Sequence, residues 1–235
     1  MQGTNTASFI AFSFFDLRQH PMPRSIGQPE QLDVYVPNRI PPAGGWPVIV
    51  AIHGGGWRRL DKSGYGRRIA SAFVPHGNVV VAPNYPLSSP GNPTWPINIE
   101  DLQTPVRWFK LNAGAFNIDA GRIVAMGESA GANLADLLGT GSPFAGTASS
   151  ADSAAVEAVV SFSAPTDLAA LYAASPQAGK AVAQFLGGPP TAVPGSYAAA
   201  SPVDQVSPAT RRLSWFMEPM ILWCRSASRR SWPPR

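Results

Sequence analysis

The chain is predicted to fold as an α/β protein, a doubly wound, mostly parallel sheet with helices on both faces. Three observations predict it. Short apolar runs alternate with helical patterns along most of the length. One run, Asn78-Val79-Val80-Val81-Ala82, is β-branched in the way of a strand buried on both faces. The 25 prolines cluster at turns (Pro37, Pro41, Pro42, Pro83, Pro86, Pro90, Pro93, Pro96), as expected where long connections carry a pocket.

Taken in order, the strands are expected near 32–36, 47–53, 78–82, 122–127 and 156–162. Helices are expected near 66–75, 97–112, 130–139 and 178–186. With 235 residues, 45% of them hydrophobic and 14% charged, the chain can bury one large core. Internal repeats and long charge blocks are absent, and the Gly/Ser/Ala-rich stretch 139–155 reads as a mobile loop. Residues 1–27 are expected to be an N-terminal extension, 28–210 the domain, and 211–235 a separate tail.

Gly127-Glu128-Ser129-Ala130-Gly131 joins the apolar run 123–126 to the Ala/Leu-rich pattern 132–138. A strand, a sharp turn and a helix put the small residues where a strained bend needs them. Such a bend lifts the Ser129 hydroxyl clear of the sheet and leaves the Ala130 N–H free to meet an oxyanion. Upstream, Pro47-Val48-Ile49-Val50-Ala51-Ile52 runs into His53-Gly54-Gly55-Gly56-Trp57. Three glycines in a row lose much backbone entropy on folding, so the main chain there is expected to approach something closely with its N–H groups free. Donors already aimed at developing negative charge are worth about 3 to 4 kcal/mol each in a transition state.

Together these motifs resemble the α/β-hydrolase superfamily, in its esterase branch of hormone-sensitive lipase-like carboxylesterases and acetyl and feruloyl carbohydrate esterases. The likeness extends to Leu32-Asp33-Val34-Tyr35-Val36-Pro37, to Asn84-Tyr85-Pro86-Leu87, and to the helix from Trp95 to Trp108 that carries Asp101. It implies a serine carboxylesterase acting on short-chain esters without a cofactor. In that reading Ser129 is the nucleophile, and the N–H groups of Gly55, Gly56 and Ala130 form the oxyanion hole. His53, Gly54 and Trp57 support the loop, and His53 is not the base. Trp57, Tyr85, Trp95 and Phe162 are candidates both for the acyl or alcohol pocket and for the core.

A serine hydroxyl needs an imidazole oriented by a carboxylate, and in this superfamily the acid and the histidine follow the serine. No histidine follows Ser129. Asp167 is a possible substitute acid, as is Asp204, but with no imidazole to orient, Asp167 reads as a structural or pocket-lining residue. His20 and His76 fall in segments that the family places away from the nucleophile, leaving solvent or a displaced His76 as fallback bases.

The last 25 residues differ in character. They hold six of the 18 Lys and Arg, three of the seven Trp, the only cysteine, Cys224, and one acid, Glu218. The remainder has 12 basic and 13 acidic residues, a net charge of −1, so the overall +4 belongs to the tail. Back-translated with the commoner Arg codons and read one base earlier, the stretch 216–225 becomes [H/Y]-G-x-x-D-x-x-V-[P/S], with its G, D and V forced by the genetic code, which fits H-G-x-x-D-x-x-V-P. That is the motif in which this esterase family carries its catalytic aspartate. The expectation is that one frameshift near Thr210 replaced the final strands and the acid and histidine segments. Strand 156–162 would then be an exposed edge open to aggregation unless the tail covers it.

With the basic charge confined to the tail, nucleic acid is not an expected partner. No apolar run reaches the length of a membrane span. A cytoplasmic location is expected, with secretion the alternative: 7–15 is apolar but lacks a preceding Lys or Arg and a cleavage site. The three histidines lie far apart, and none is at ligand spacing for a metal. The alternatives to an esterase are a non-catalytic ligand-binding homologue, of the kind the plant gibberellin receptor represents, and a prolyl-oligopeptidase-type peptidase. The second usually needs a further domain that 235 residues cannot hold.

Overall fold

The computed structural model describes residues 11–12, 32–141, 153–207, 210 and 212–216. Among the described residues, seven strands form one sheet in the order β1-β2-β4-β3-β5-β6-β7. They are β1 (Ala11–Phe12), β2 (Leu32–Tyr35), β3 (Trp46–Ile52), β4 (Val79–Pro83), β5 (Ile118–Glu128), β6 (Ala158–Phe162) and β7 (Arg212–Phe216). β1 and β2 run antiparallel to their neighbours, while β4, β3, β5, β6 and β7 are parallel. The expected mostly parallel sheet is therefore present, with an antiparallel edge.

Alternation along β3 shows why both faces are covered. Val48, Val50 and Ile52 join one core with α2 (Ile97–Leu111) and α4 (Ala130–Thr140), through Ile99, Leu102, Phe109, Leu134 and Leu137. Ile49 and Ala51 point the other way, into a smaller core with Tyr65, Ile69 and Ala70 of α1 (Lys62–Phe73). Successive strand residues face opposite sides, so a strand apolar at every position needs helices on both. The helix α1 starts at Lys62 rather than near 66 because Asp61 caps it, its carboxylate accepting the Ser63 N–H at 2.8 Å.

Between β6 and β7 lie three helices, α5 (Leu168–Ala174), α6 (Pro176–Leu186) and α7 (Pro194–Ala200), and a short α3 (Ala113–Phe116) precedes β5. Of these only α6 was expected. Asn133 of α4 ties this segment down, its Nδ2 donating to the carbonyls of Pro165 and Ala200 at 3.0 Å each.

Two observations bear on the edges of the sheet. β6 is not an open edge, because β7 pairs with it from Ala158↔Arg212 to Phe162↔Phe216. Strand pairing uses only main-chain N–H and C=O groups, so residues of unusual composition can supply it. Part of the N-terminal extension, Ala11–Phe12, pairs with β2. His20, Cys224, most of the stretch 139–155 and the tail beyond 216 lie outside the described residues.

Candidate active site

Ser129 sits where β5 gives way to α4, with φ 55° and ψ −121°, and it is exposed. For a residue with a side chain this backbone is strained, by roughly 1 to 3 kcal/mol. The surroundings hold it there. The Ser129 N–H donates to the Phe162 carbonyl at the end of β6 at 2.8 Å, and its own carbonyl accepts the N–H groups of Ala132 and Asn133 at 3.0 and 3.1 Å. Both flanking glycines are required by space: a Cβ at Gly127 would collide with the Gly131 carbonyl, and one at Gly131 with the carbonyls of Ile52 and His53.

The glycine triplet leaves the end of β3 and lies directly against this turn. A Cβ on Gly54 would meet the Glu128 carbonyl oxygen at 2.8 Å and the Ser129 Cβ at 3.4 Å. Gly55 has φ 120° and no room for a side chain beside the Arg59 carbonyl, whereas Gly56, at φ 62°, has space around it and owes its identity to backbone conformation. Among the described residues no protein acceptor takes the N–H of Gly55 or Gly56. Ala130 is the first residue of α4, so its N–H has no intrahelical partner, and the positive end of the helix dipole adds to it. The three N–H groups expected to hold an oxyanion are thus unpaired.

His53 is buried beneath this loop. Its ring stacks on Tyr85 with centroids 4.3 Å apart, and Nδ1 lies 2.8 Å from the Gly54 carbonyl. A carbonyl only accepts, so Nδ1 carries the proton. Burial holds the imidazole below its usual range, against the opposing effects of the Gly54 hydrogen bond and the Asp61 charge, and His53 is neutral. The Tyr85 hydroxyl donates to the His53 carbonyl at 2.8 Å.

Trp57 and Tyr85 are buried, so of the four aromatic pocket candidates these two belong to the support beneath the loop. Trp95 and Phe162 keep part of their surface exposed. Trp57 stacks on Phe185 of α6, and the Trp57 carbonyl accepts both the N–H and the hydroxyl of Ser88, at 2.8 and 3.1 Å. Gln184 closes the set by donating to the Ser88 carbonyl at 2.7 Å. Nothing local in the sequence marks Gln184 and Phe185, which lie far along the chain from the loop they brace.

Asp167 caps α5, its carboxylate accepting the Ala170 N–H at 2.9 Å, which is a structural task. His76 precedes β4 and lines a groove with Arg39, Trp46 and Arg122 at the amino ends of the parallel strands. Ser129 is at their carboxyl ends, about 16 Å away along a strand of five residues, so His76 is no fallback base. Among the described residues no group of three or more His, Cys, Asp or Glu side chains converges as a metal site would, and no helix is long and apolar enough to cross a membrane.

Residues 32–214 match the family model described as BD-FAE. The chain belongs to the BD-FAE family. The family match takes in the glycine triplet, the Ser129 turn and the three helices after β6. Curated relatives of this BD-FAE chain include Esterase LipQ of Mycobacterium tuberculosis, 31% identical over 47% of the chain and 26% of the relative. Another is Carboxylesterase NlhH of the same species, 33% identical over 39% of the chain and 28% of the relative. The matched stretch thus spans about a quarter of the length of either. Among solved structures, a truncated carbohydrate esterase from gut microbiota superposes with a TM-score of 0.67 at 22% identity, covering 80% of this chain and 70% of that one. Est2 of Thermogutta terrifontis superposes with a TM-score of 0.65 at 21% identity, covering 89% and 69%. At such identities the superpositions establish the α/β-hydrolase fold.

Proposed function

We propose that the chain is a serine carboxylesterase acting on short-chain carboxylic esters through an acyl-enzyme on Ser129. The observation that carries this reading is the exposed, strained Ser129 packed against Gly54, with the unpaired N–H groups of Gly55 and Gly56 following on the same loop and that of Ala130 next in the chain. The Ser129 oxygen attacks the ester carbonyl carbon, the carbonyl electrons move onto oxygen, and those N–H groups hold the resulting oxyanion. Collapse expels the alcohol, and water then cleaves the acyl-serine. The relatives named as esterases and carboxylesterases support the same class.

In a protein of these 235 residues the reaction runs without its base. No imidazole follows Ser129, His53 donates into its own loop, and His76 lies at the other end of the sheet. Oxyanion stabilisation and binding alone leave a residual catalysis, roughly 10³-fold or more below an intact relative. The segment 211–235 is a frameshift product under this reading. Sequencing the coding DNA tests that part: a different reading frame that does not pass through the aspartate motif refutes it.

The nucleophile is tested by incubating the purified chain with a fluorophosphonate and mapping the adduct by mass spectrometry. Slow, stoichiometric labelling of the peptide containing Ser129 is expected. Labelling elsewhere, or none, contradicts the assignment.

A further inference from the structure

Ser163 is the second strained serine at this end of the sheet. It follows β6 with φ 52°, close to the 55° of Ser129, and among the residues with a side chain only five have such a positive φ in the described structure. Two of the others, Trp57 and Leu60, belong to the glycine loop or its exit, and the fifth, Asn117, is of a type that adopts this conformation readily. Serine at φ 52° has no such excuse. Its side chain is exposed and takes no hydrogen-bond partner among the described residues, so no side-chain contact accounts for the strain. Strain of this kind persists where a function holds it.

Its position says what that function is. Glu128 pairs with Phe162 in the β5–β6 register, and the Ser129 N–H is bonded to the Phe162 carbonyl at 2.8 Å, so Ser163 is the next residue after the group that anchors the nucleophile. Neighbouring strands are about 4.8 Å apart. The sheet order β3-β5-β6 places the glycine loop on one side of Ser129 and Ser163 on the other. An ester carbonyl whose oxygen faces the Gly55, Gly56 and Ala130 N–H groups turns its alcohol oxygen away from them.

We infer that Ser163 is a substrate-contact residue, its hydroxyl donating a hydrogen bond to the alcohol oxygen of the ester as that oxygen leaves. This rests on the esterase reading above. The C–O bond to the alcohol breaks with its electron pair going to the alcohol oxygen. Ser163 keeps its proton and stabilises the anion, which then takes a proton from water. The proton of Ser129 passes to solvent. Hydrogen bonds to ionised oxygen are roughly twice as strong as neutral ones, so the contact matters most for poor leaving groups.

The test compares Ser129-dependent hydrolysis of phenyl acetate and p-nitrophenyl acetate, each corrected with Ser129→Ala, for the unmodified chain, Ser163→Ala and Ser163→Gly. Phenolate is the poorer leaving group. Both variants are expected to lose about tenfold in kcat/KM on phenyl acetate and no more than about twofold on p-nitrophenyl acetate. Ser163→Gly should also raise the Tm, because glycine adopts this φ without strain. Equal losses on the two esters, or none, overturn the inference while leaving the esterase reading intact. If Ser129→Ala removes no activity and the fluorophosphonate misses Ser129, the esterase reading fails and the role of Ser163 falls with it.

Discussion

The Trp57 indole lies flat on the Phe185 ring, with centroids 4.6 Å apart and planes within 1°. Trp57 ends the glycine loop and Phe185 lies in the last turn of α6, so this stack fastens the helical segment after β6 to the loop beside Ser129. Phe185 is fully buried. Phe185→Ala should cost about 3 to 5 kcal/mol in urea unfolding. It should also slow fluorophosphonate labelling of Ser129 in the fraction that remains folded, because the loop loses its brace. Labelling at the original rate would show that the loop holds its shape without α6.

Gly55 offers a sharper test of the loop. Its φ of 120° and the Arg59 carbonyl leave no place for a methyl group, so Gly55→Ala must displace the loop. A fall of about 10²-fold or more in Ser129-dependent ester hydrolysis is expected, with helix and sheet content unchanged by circular dichroism. Gly64→Ala serves as the control. Gly64 lies in α1 with open space around it, and alanine there should raise stability by about 0.5 to 1 kcal/mol and leave the rate alone.

Asp136 gives the fold a pH dependence. It is buried in α4, accepts a bond from the Ser161 hydroxyl through Oδ1, and among the described residues Oδ2 has no partner. Burial pushes its carboxyl up to about 7, with the Ser161 bond pulling the other way. Between roughly pH 4 and 7 the folded chain keeps a proton that the unfolded chain has released, so this contribution to stability declines as pH rises through that window. The total is up to about 4 kcal/mol. Asp136→Asn should therefore be the more stable protein at pH 8 by urea unfolding, with the margin shrinking towards pH 5. A margin independent of pH would mean that Asp136 is ionised throughout.

The sheet was legible because its signals are local. β3 and β4 are apolar at nearly every position, and the turns after β3 and β5 need glycines that no other residue can replace. Ser129, the glycine triplet and Ala130 could be proposed as a site for the same reason. The braces could not. Phe185 looks like any apolar helical residue, and its role comes from a contact across more than a hundred positions of the chain. Asp167 could be read either as a substitute acid or, preferably, as a structural residue, because a carboxylate after a strand has two uses; its bond to the Ala170 N–H supplies the structural one. β7 was unreadable from composition, since its pairing with β6 depends on main-chain groups.

The most direct measurement is p-nitrophenyl acetate hydrolysis by the 235-residue protein, confirmed by mass, beside its Ser129→Ala variant. A rate about 10³-fold or more below an intact esterase of the family, falling to background in Ser129→Ala, is the predicted result. An ordinary esterase rate abolished by Ser129→Ala would show that a base acts on Ser129 after all. A rate unchanged by Ser129→Ala would remove the nucleophile itself.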